Sequence, residues 1–145
     1  MIFISHRGNT TGPNPEQENS PDYIDNVLVE GYYVEVDVRL NVNNELYLGH
    51  DFGQYKTSIK FLQHPKIICH AKTPDTLALL LNNNIHCFSH DKDQVVLTSN
   101  NWLWTYPGEK LTNMSIAVMP ECTTINWDLT SCFGICSDYI TYSNP

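Results

Sequence analysis

Basic side chains are scarce in this chain of 145 residues. Eight lysines and arginines stand against sixteen aspartates and glutamates, which gives a formal net charge of −8 at pH 7. Proteins that bind nucleic acids neutralise phosphates with basic surfaces, so this balance argues against a nucleic acid as a partner. It also opposes a phosphate-containing substrate, unless a bound divalent cation reverses the local charge.

Cysteine motifs and long apolar runs are missing as well. The five cysteines are odd in number and form no C-x-x-C pair, so we predict reduced thiols in a reducing compartment. The first residues enter a strand-like run without a basic leader, and no apolar run has the length of a membrane span. We therefore expect a cytoplasmic protein with neither a signal peptide nor a membrane-spanning segment. The sequence leaves the oligomeric state open.

The length suits one domain, residues 1–145, built around one core. Short apolar runs bounded by polar or turn residues predict a series of strands. These runs are residues 2–5, 32–40, 45–48, 66–71, 85–89, 102–105, 115–119 and 133–137.

Helical signals are fewer than strand signals. We predict a helix over residues 21–29, where Ser20 is a suitable N-cap, and a second helix over residues 73–81. A third, shorter helix is predicted over residues 124–130, and residues 92–111 are interpreted as loops and a hairpin.

Strands that alternate with helices indicate an α/β fold, and nearly continuous apolar strands are typical of parallel strands covered on both faces. A (β/α)8 barrel usually takes about 250 residues. A barrel in this chain would therefore be compact and reduced, TIM-barrel-like, with several outer helices shortened or missing.

Glu35 and Asp37 lie on one face of the second predicted strand, because side chains alternate along a strand. Two carboxylates about 7 Å apart on one strand face offer oxygen ligands to Mg²⁺ or Ca²⁺. The alternative is a solvated acidic face. The opposite face consists of valines, and the pair lies near the end of the run, which favours the functional interpretation.

Two histidines follow apolar runs. His6 ends the first strand before Arg7 and Gly8, and His50 precedes Asp51 after the predicted hairpin. A guanidinium suits phosphate oxygens, and two imidazoles that titrate near neutrality can supply one base and one acid. A structural hydrogen-bonding role for His6 is the alternative.

In order along residues 1–51, the motifs H-R-G, E-N-S, E-x-D-V and H-D resemble those of the glycerophosphodiester phosphodiesterase family, within the phospholipase-C-like phosphodiesterase superfamily. The resemblance implies a TIM-barrel fold, a divalent metal ion, a role in lipid metabolism and cleavage of a glycerophosphodiester to an alcohol and glycerol phosphate. It further implies His6 and His50 as the acid/base pair, Arg7 as a phosphate contact, and Glu35 and Asp37 as metal ligands.

The third strand departs from the family pattern. Where the family carries E-x-K, this chain has His70, Ala71 and Lys72. The resemblance implies a phosphate contact for Lys72 and a metal ligand at position 70, and an imidazole there suits Mn²⁺ or Zn²⁺ better than Mg²⁺ or Ca²⁺. Residues 134–138 resemble the family's last strand, so we expect a miniaturised barrel rather than a fragment.

Two further groups have open interpretations. Glu121, after Pro120, is either a further metal-binding acid at the barrel mouth or a loop carboxylate, and His90 either faces the site or lies on a surface turn. The alternating aromatic residues 102, 104 and 106 fit core or rim packing better than a stacking platform for a ligand.

The sequence thus predicts a phosphoric diester hydrolase that acts on a small phosphodiester with His/His acid–base catalysis. Two alternatives stay open: a non-catalytic module of this fold that binds phosphate and metal, and a lyase that forms a cyclic phosphate.

Overall fold

The computed structural model describes residues 1–142, and within them ten strands form one sheet. The strands are β1 (Ile2–His6), β2 (Tyr33–Leu40), β3 (Leu46–Leu48), β4 (Tyr55–Lys56), β5 (Ile67–Ala71), β6 (Cys87–Phe88), β7 (Val95–Leu97), β8 (Leu103–Thr105), β9 (Ser115–Val118) and β10 (Gly134–Ser137). All eight predicted strands are present, whereas β4 and β7 were not individually predicted.

Seven of these strands are parallel and run in the order β6-β5-β2-β1-β10-β9-β8. β3, β4 and β7 are antiparallel additions, of which β3 pairs with the end of β2 and β7 pairs with β8. Because the first and last strands of the chain pair at the centre of the ladder, His6 at the end of β1 lies between Glu35 of β2 and the end of β10.

The sheet curls but its ladder does not close. Within residues 1–142, no strand pairing joins β6 to β8, although Phe88 on β6 and Trp104 on β8 hold their ring centroids 4.7 Å apart. The molecule is therefore a mixed α/β fold with a curled, half-barrel sheet. The α/β class is confirmed, whereas a complete TIM barrel is not.

Three α-helices accompany the described strands: α1 (Pro21–Val29), α2 (Ile59–Leu62) and α3 (Pro74–Asn82). The helices predicted over residues 21–29 and 73–81 are confirmed as α1 and α3. The Ser20 and Thr73 hydroxyls cap them by accepting hydrogen bonds from Tyr23 N and Thr76 N.

The helix predicted over residues 124–130 is wrong. A short 3₁₀ turn at Pro120–Cys122 precedes that segment, and another at Leu129–Ser131 overlaps only its last two residues. The Thr123 hydroxyl accepts from Ile125 N, and the Asp128 carboxylate accepts from Thr130 N. These local side-chain hydrogen bonds satisfy the backbone in a non-helical conformation.

The core has two sides, one on each face of the curled sheet. Outside, α1 and α3 cover β2 and β5, and the valines of β2 are completely buried there. Inside, apolar residues from six strands pack across the curl: Ile4, Ile68, Phe88, Trp104, Ile116, Val118 and Cys136. This inner layer forms the floor on which the polar residues described below are placed.

Among the described residues, no helix combines the length and the apolar character that crossing a membrane would need. Each of the five cysteines is a free thiol.

Candidate functional site

Polar side chains follow the inner apolar layer at the carboxyl edge of the sheet. Residues two apart in a strand share a face. At five positions, an inner apolar residue is followed two positions later by a polar residue. The pairs are Ile4 and His6, Ile68 and His70, Phe88 and His90, Trp104 and Tyr106, and Cys136 and Asp138. The parallel strands bring these polar groups to one edge.

A cavity of about 240 Å³ opens among these groups. One part of its wall is charged or titratable and consists of His6, Arg7, Glu35, His50 and His70. The other part carries rings and consists mainly of Phe88, His90, Trp104 and Tyr106. The two histidines that the sequence proposed as an acid/base pair therefore line the same cavity.

Asp37 is buried and surrounded by cationic and hydrogen-bonding groups. Its Oδ2 lies 2.9 Å from Arg7 Nε and accepts a hydrogen bond of 3.0 Å from Asn19 Nδ2. Its Oδ1 lies 3.0 Å from Lys72 Nζ and 3.3 Å from His70 Nδ1. Burial opposes ionisation of Asp37, but the close contact with His70 and the neighbouring cations outweigh it and hold the pKa well below its usual range.

Glu35 has the opposite environment, although it is only two residues away. Burial, followed by the charge of Asp37, raises the pKa of Glu35. Its nearest basic neighbours are His70 Nδ1 at 3.8 Å and His6 Nε2 at 3.9 Å. Within residues 1–142, the buried Oε2 atom has no hydrogen-bond donor. A buried carboxylate oxygen without a donor is costly and calls for a partner.

Glu35, Asp37 and His70 form the one group of potential metal ligands found in the described residues. One ligand atom from each lies within 4.8 Å of the others. Two carboxylates and an imidazole match the donor types that bind divalent cations, and the donor-free oxygen of Glu35 could accept such an ion as a partner. The residues present therefore fit a divalent metal ion.

His6 is held by Asp138, the residue that follows β10. His6 Nδ1 lies 2.8 Å from Asp138 Oδ1, which also accepts a hydrogen bond of 2.8 Å from Asn9 Nδ2. Burial lowers the pKa of His6, but the hydrogen bond to Asp138 and the charge of Glu35 outweigh burial, so the pKa lies above 6.5. With Nδ1 engaged, Nε2 is the atom directed towards Glu35.

His50 lies on the loop after β3 and is more exposed than His6. Its Nδ1 lies 2.7 Å from Asp51 Oδ1, and 47% of its side-chain surface is accessible. Both histidines thus have a carboxylate at Nδ1, although the partner of His6 is buried and that of His50 is exposed.

The two proposed phosphate ligands differ in position. Arg7 lines the cavity, and its Nη1 also lies 3.3 Å from Glu18 Oε2. Lys72 is absent from the described cavity wall and lies beside Asp37 and His70, with its Nζ 3.4 Å from His70 Nδ1.

Glu121 lies outside the group of potential metal ligands. Its Oε1 accepts hydrogen bonds from Ser137 Oγ at 2.8 Å and from Asp138 N at 2.9 Å. The carboxylate therefore orders the chain at Asp138, which in turn contacts His6. This structural contact is a third interpretation of Glu121. The sequence had left two open, a metal-binding acid and a loop carboxylate.

Sequence reasoning did not include Asp138 or Tyr106 among the site residues. The signal for Asp138 was its place directly after β10, because other strand-end residues gather at the same edge. Tyr106 lies with its hydroxyl 2.6 Å from His90 Nε2, and the His90 ring stacks on His70 with centroids 4.9 Å apart. His90 thus faces the site, which is one of the two interpretations that the sequence left open for this residue.

Comparisons with protein-family models, with curated proteins and with solved structures found no match. The resemblance to the glycerophosphodiester phosphodiesterases accordingly remains a prediction that depends on four short motifs.

Proposed function

We propose that this protein is a metal-dependent phosphodiesterase of a reduced TIM-barrel type, acting on a small glycerophosphodiester-like substrate. One observation carries the proposal: His6 and His50 line a single cavity together with Glu35 and His70. A phosphodiester cleavage needs a base, an acid and positive charge near the phosphoryl oxygens, and these residue types supply all three.

Glu35, Asp37 and His70 would hold the divalent ion. When bound, the ion would polarise a phosphoryl oxygen and offset its negative charge. The two carboxylates suit Mg²⁺ or Ca²⁺, whereas the imidazole nitrogen favours Mn²⁺ or Zn²⁺. The guanidinium of Arg7 would contact the substrate phosphate from the cavity wall. Lys72, which lies beside Asp37, would add positive charge near the site.

His6 is the general base in this proposal. The carboxylate of Asp138 at Nδ1 supports a tautomer in which Nε2 is free to take a proton from the nucleophile. The nucleophile is either water, which makes the enzyme a hydrolase, or a neighbouring hydroxyl of the substrate, which makes it a lyase that forms a cyclic phosphate.

His50 is the general acid. It lies on an exposed loop at the cavity wall, where a departing alcohol would reach solvent. As the bond between phosphorus and the leaving oxygen breaks, the electron pair stays on that oxygen, and His50 Nε2 donates the proton that neutralises it.

A second candidate is a non-catalytic module that binds phosphate or metal. The observation that favours it is the position of Arg7 and Lys72, which contact opposite oxygens of Asp37. These two side chains already balance the charge of the Asp37 carboxylate, so a metal ion would have to share the carboxylate with them or displace them.

The test is hydrolysis of glycerophosphocholine and of bis(p-nitrophenyl) phosphate with Mg²⁺, Ca²⁺, Mn²⁺ and Zn²⁺ supplied separately. The enzyme hypothesis expects turnover that falls at least about 100-fold for glycerophosphocholine in both His6→Ala and His50→Ala. Phosphorus NMR of the products separates hydrolysis from cyclic phosphate formation. Phosphate binding by calorimetry without turnover under any metal would support the module instead.

A further inference from the structure

Arg39 fixes the backbone of the loop that carries His50. Arg39 lies at the end of β2, and its Nε donates a hydrogen bond of 3.0 Å to the Gly49 carbonyl. Its Nη2 donates to the next carbonyl along the chain, that of His50. One planar guanidinium thus holds two consecutive carbonyls, a geometry that its fork of donors permits and that a single ammonium cannot reproduce.

The imidazole of His50 has little other support. Its side-chain partner, Asp51, is the next residue on the same loop and is itself 84% exposed, so it moves with the loop rather than fixing it. By contrast, the partner of His6 is a buried carboxylate on another strand end. The position of the His50 ring relative to the cavity therefore depends on how its backbone is held.

The loop itself is tightly folded at the residue before His50. Gly49 has φ 151°, and a Cβ at this position would lie 2.0 Å from the Phe52 carbonyl oxygen. Gly49 N also donates to the Asp37 carbonyl, which joins the loop to β2 at one end. Arg39 adds the second attachment to β2, directly at the residue whose side chain lines the cavity.

We propose that Arg39 is a positioning residue that keeps His50 within reach of the leaving oxygen. This inference rests on the proposed role of His50 as general acid. A displacement of about 1 Å of a catalytic group can cost about 100-fold in rate, so loss of this attachment affects proton donation more than substrate binding.

The leaving group provides a readout that general damage to the fold does not. An alkoxide leaves only if it receives a proton as the phosphorus–oxygen bond breaks, whereas p-nitrophenolate is a weak base and leaves without one. A variant that has lost a positioned acid should therefore fail on glycerophosphocholine and still cleave bis(p-nitrophenyl) phosphate.

The experiment compares Arg39→Met, Arg39→Lys, His50→Ala and the double variant Arg39→Met/His50→Ala on both substrates. We expect Arg39→Met and His50→Ala to lower kcat for glycerophosphocholine about 100-fold and kcat for the nitrophenyl ester less than about 5-fold, with KM nearly unchanged. The double variant should be no slower than His50→Ala, and Arg39→Lys should recover part of the loss.

Lys56→Met is the matched control. Lys56 is a cation of strand β4, two strands away from Arg39 in the sheet, and its exposed Nζ pairs with Glu45. The control variant should leave both activities unchanged. Melting curves check folding. If Arg39→Met does not fold, Arg39→Lys tests the inference, because one ammonium cannot hold both carbonyls and this variant should still slow glycerophosphocholine more than the nitrophenyl ester.

The outcomes separate the two proposals. If His50→Ala slows both substrates equally, or if the unaltered protein cleaves neither, the assigned role of His50 is wrong and the inference about Arg39 falls with it. If His50→Ala shows the leaving-group dependence but the Arg39 variants slow both substrates equally or neither, the role of His50 stands and that of Arg39 is overturned.

Discussion

The two parts of the cavity wall differ in chemistry. Strands β1, β2 and β5 and the loop after β3 contribute ionisable groups, whereas β6 and β8 contribute mainly rings. On the charged side, Glu35 has a buried oxygen without a donor, so its environment opposes folding. On the aromatic side, Trp104 is 2% exposed and packs on Phe88 over the inner core. We infer that the charged side carries a cost in stability at Glu35, whereas the aromatic side supplies stability.

The aromatic side is tested by Trp104→Ala. The substitution removes a buried ring from the inner core, and such truncations cost about 3 to 5 kcal/mol of unfolding free energy. Urea denaturation measures the loss, and Val42→Ala, at a residue that is 99% exposed, should cost less than about 0.5 kcal/mol. A loss in Trp104→Ala as small as that of the control would contradict the comparison.

The charged side is tested by Glu35→Gln, which keeps the size of the side chain and removes its charge. If the proposed metal site is correct, a divalent metal should raise the melting temperature of the unaltered protein, and Glu35→Gln should abolish that rise. The proposed phosphodiesterase activity should fall about 100- to 1000-fold, equivalent to roughly 3 to 4 kcal/mol.

The metal-free Glu35→Gln protein gives the second half of this test. Because burial raises the pKa of Glu35, the ionised form destabilises the fold at neutral pH, and the neutral amide should leave stability equal or higher. Glu30→Gln, an exposed acid after α1, is the control and should keep the response to metal. A marked loss of stability in metal-free Glu35→Gln would assign this side a structural role.

A third prediction concerns the attachment of His6. Asp138→Asn replaces an acceptor-only carboxylate with an amide, which weakens control of the imidazole tautomer and of its orientation. We expect kcat to fall about 100-fold, roughly 2.7 kcal/mol, with KM little changed. Asp128→Asn, at an exposed turn, is the control. Unaltered kcat in Asp138→Asn would show that His6 needs no partner at Nδ1.

Local periodicity was enough to predict part of this site. Glu35 and Asp37 share a strand face by alternation, and parallel pairing places Asp37 beside His70. Helix α1 was also predictable, because its cap at Ser20 lies next to it in the sequence. In each case, the determining residues are near one another in the chain or follow the regular spacing of strands.

The remainder depended on contacts that periodicity does not specify. His6 and Asp138 are 132 residues apart, and their contact requires the pairing of β1 with β10. Arg39 attaches the tight loop to β2 through backbone carbonyls. A contact of this kind leaves no pattern of side-chain polarity in the sequence from which it could be predicted. Closure of the barrel was also not confirmed, since it depends on whether β6 and β8 approach closely enough to pair.

The smallest expected effect concerns His86, which lies on the aromatic side away from the charged groups. Its Nε2 lies 2.8 Å from Thr98 Oγ1 and its ring contacts Trp102, and burial lowers the pKa of His86 to about 4. The unfolded chain binds this proton near pH 6.5 and the folded chain only near pH 4, so stability falls as pH decreases through that window. We expect this residue to account for roughly 1 to 2 kcal/mol of the acid-induced loss of stability after allowance for solvent screening.

Urea denaturation at pH 7 and pH 4.5 should therefore show a smaller difference in unfolding free energy for His86→Gln than for the unaltered protein. His64→Gln, an exposed histidine, provides the control and should keep the full difference. Equal differences in His86→Gln and the unaltered protein would mean that the aromatic side does not exclude water from this imidazole.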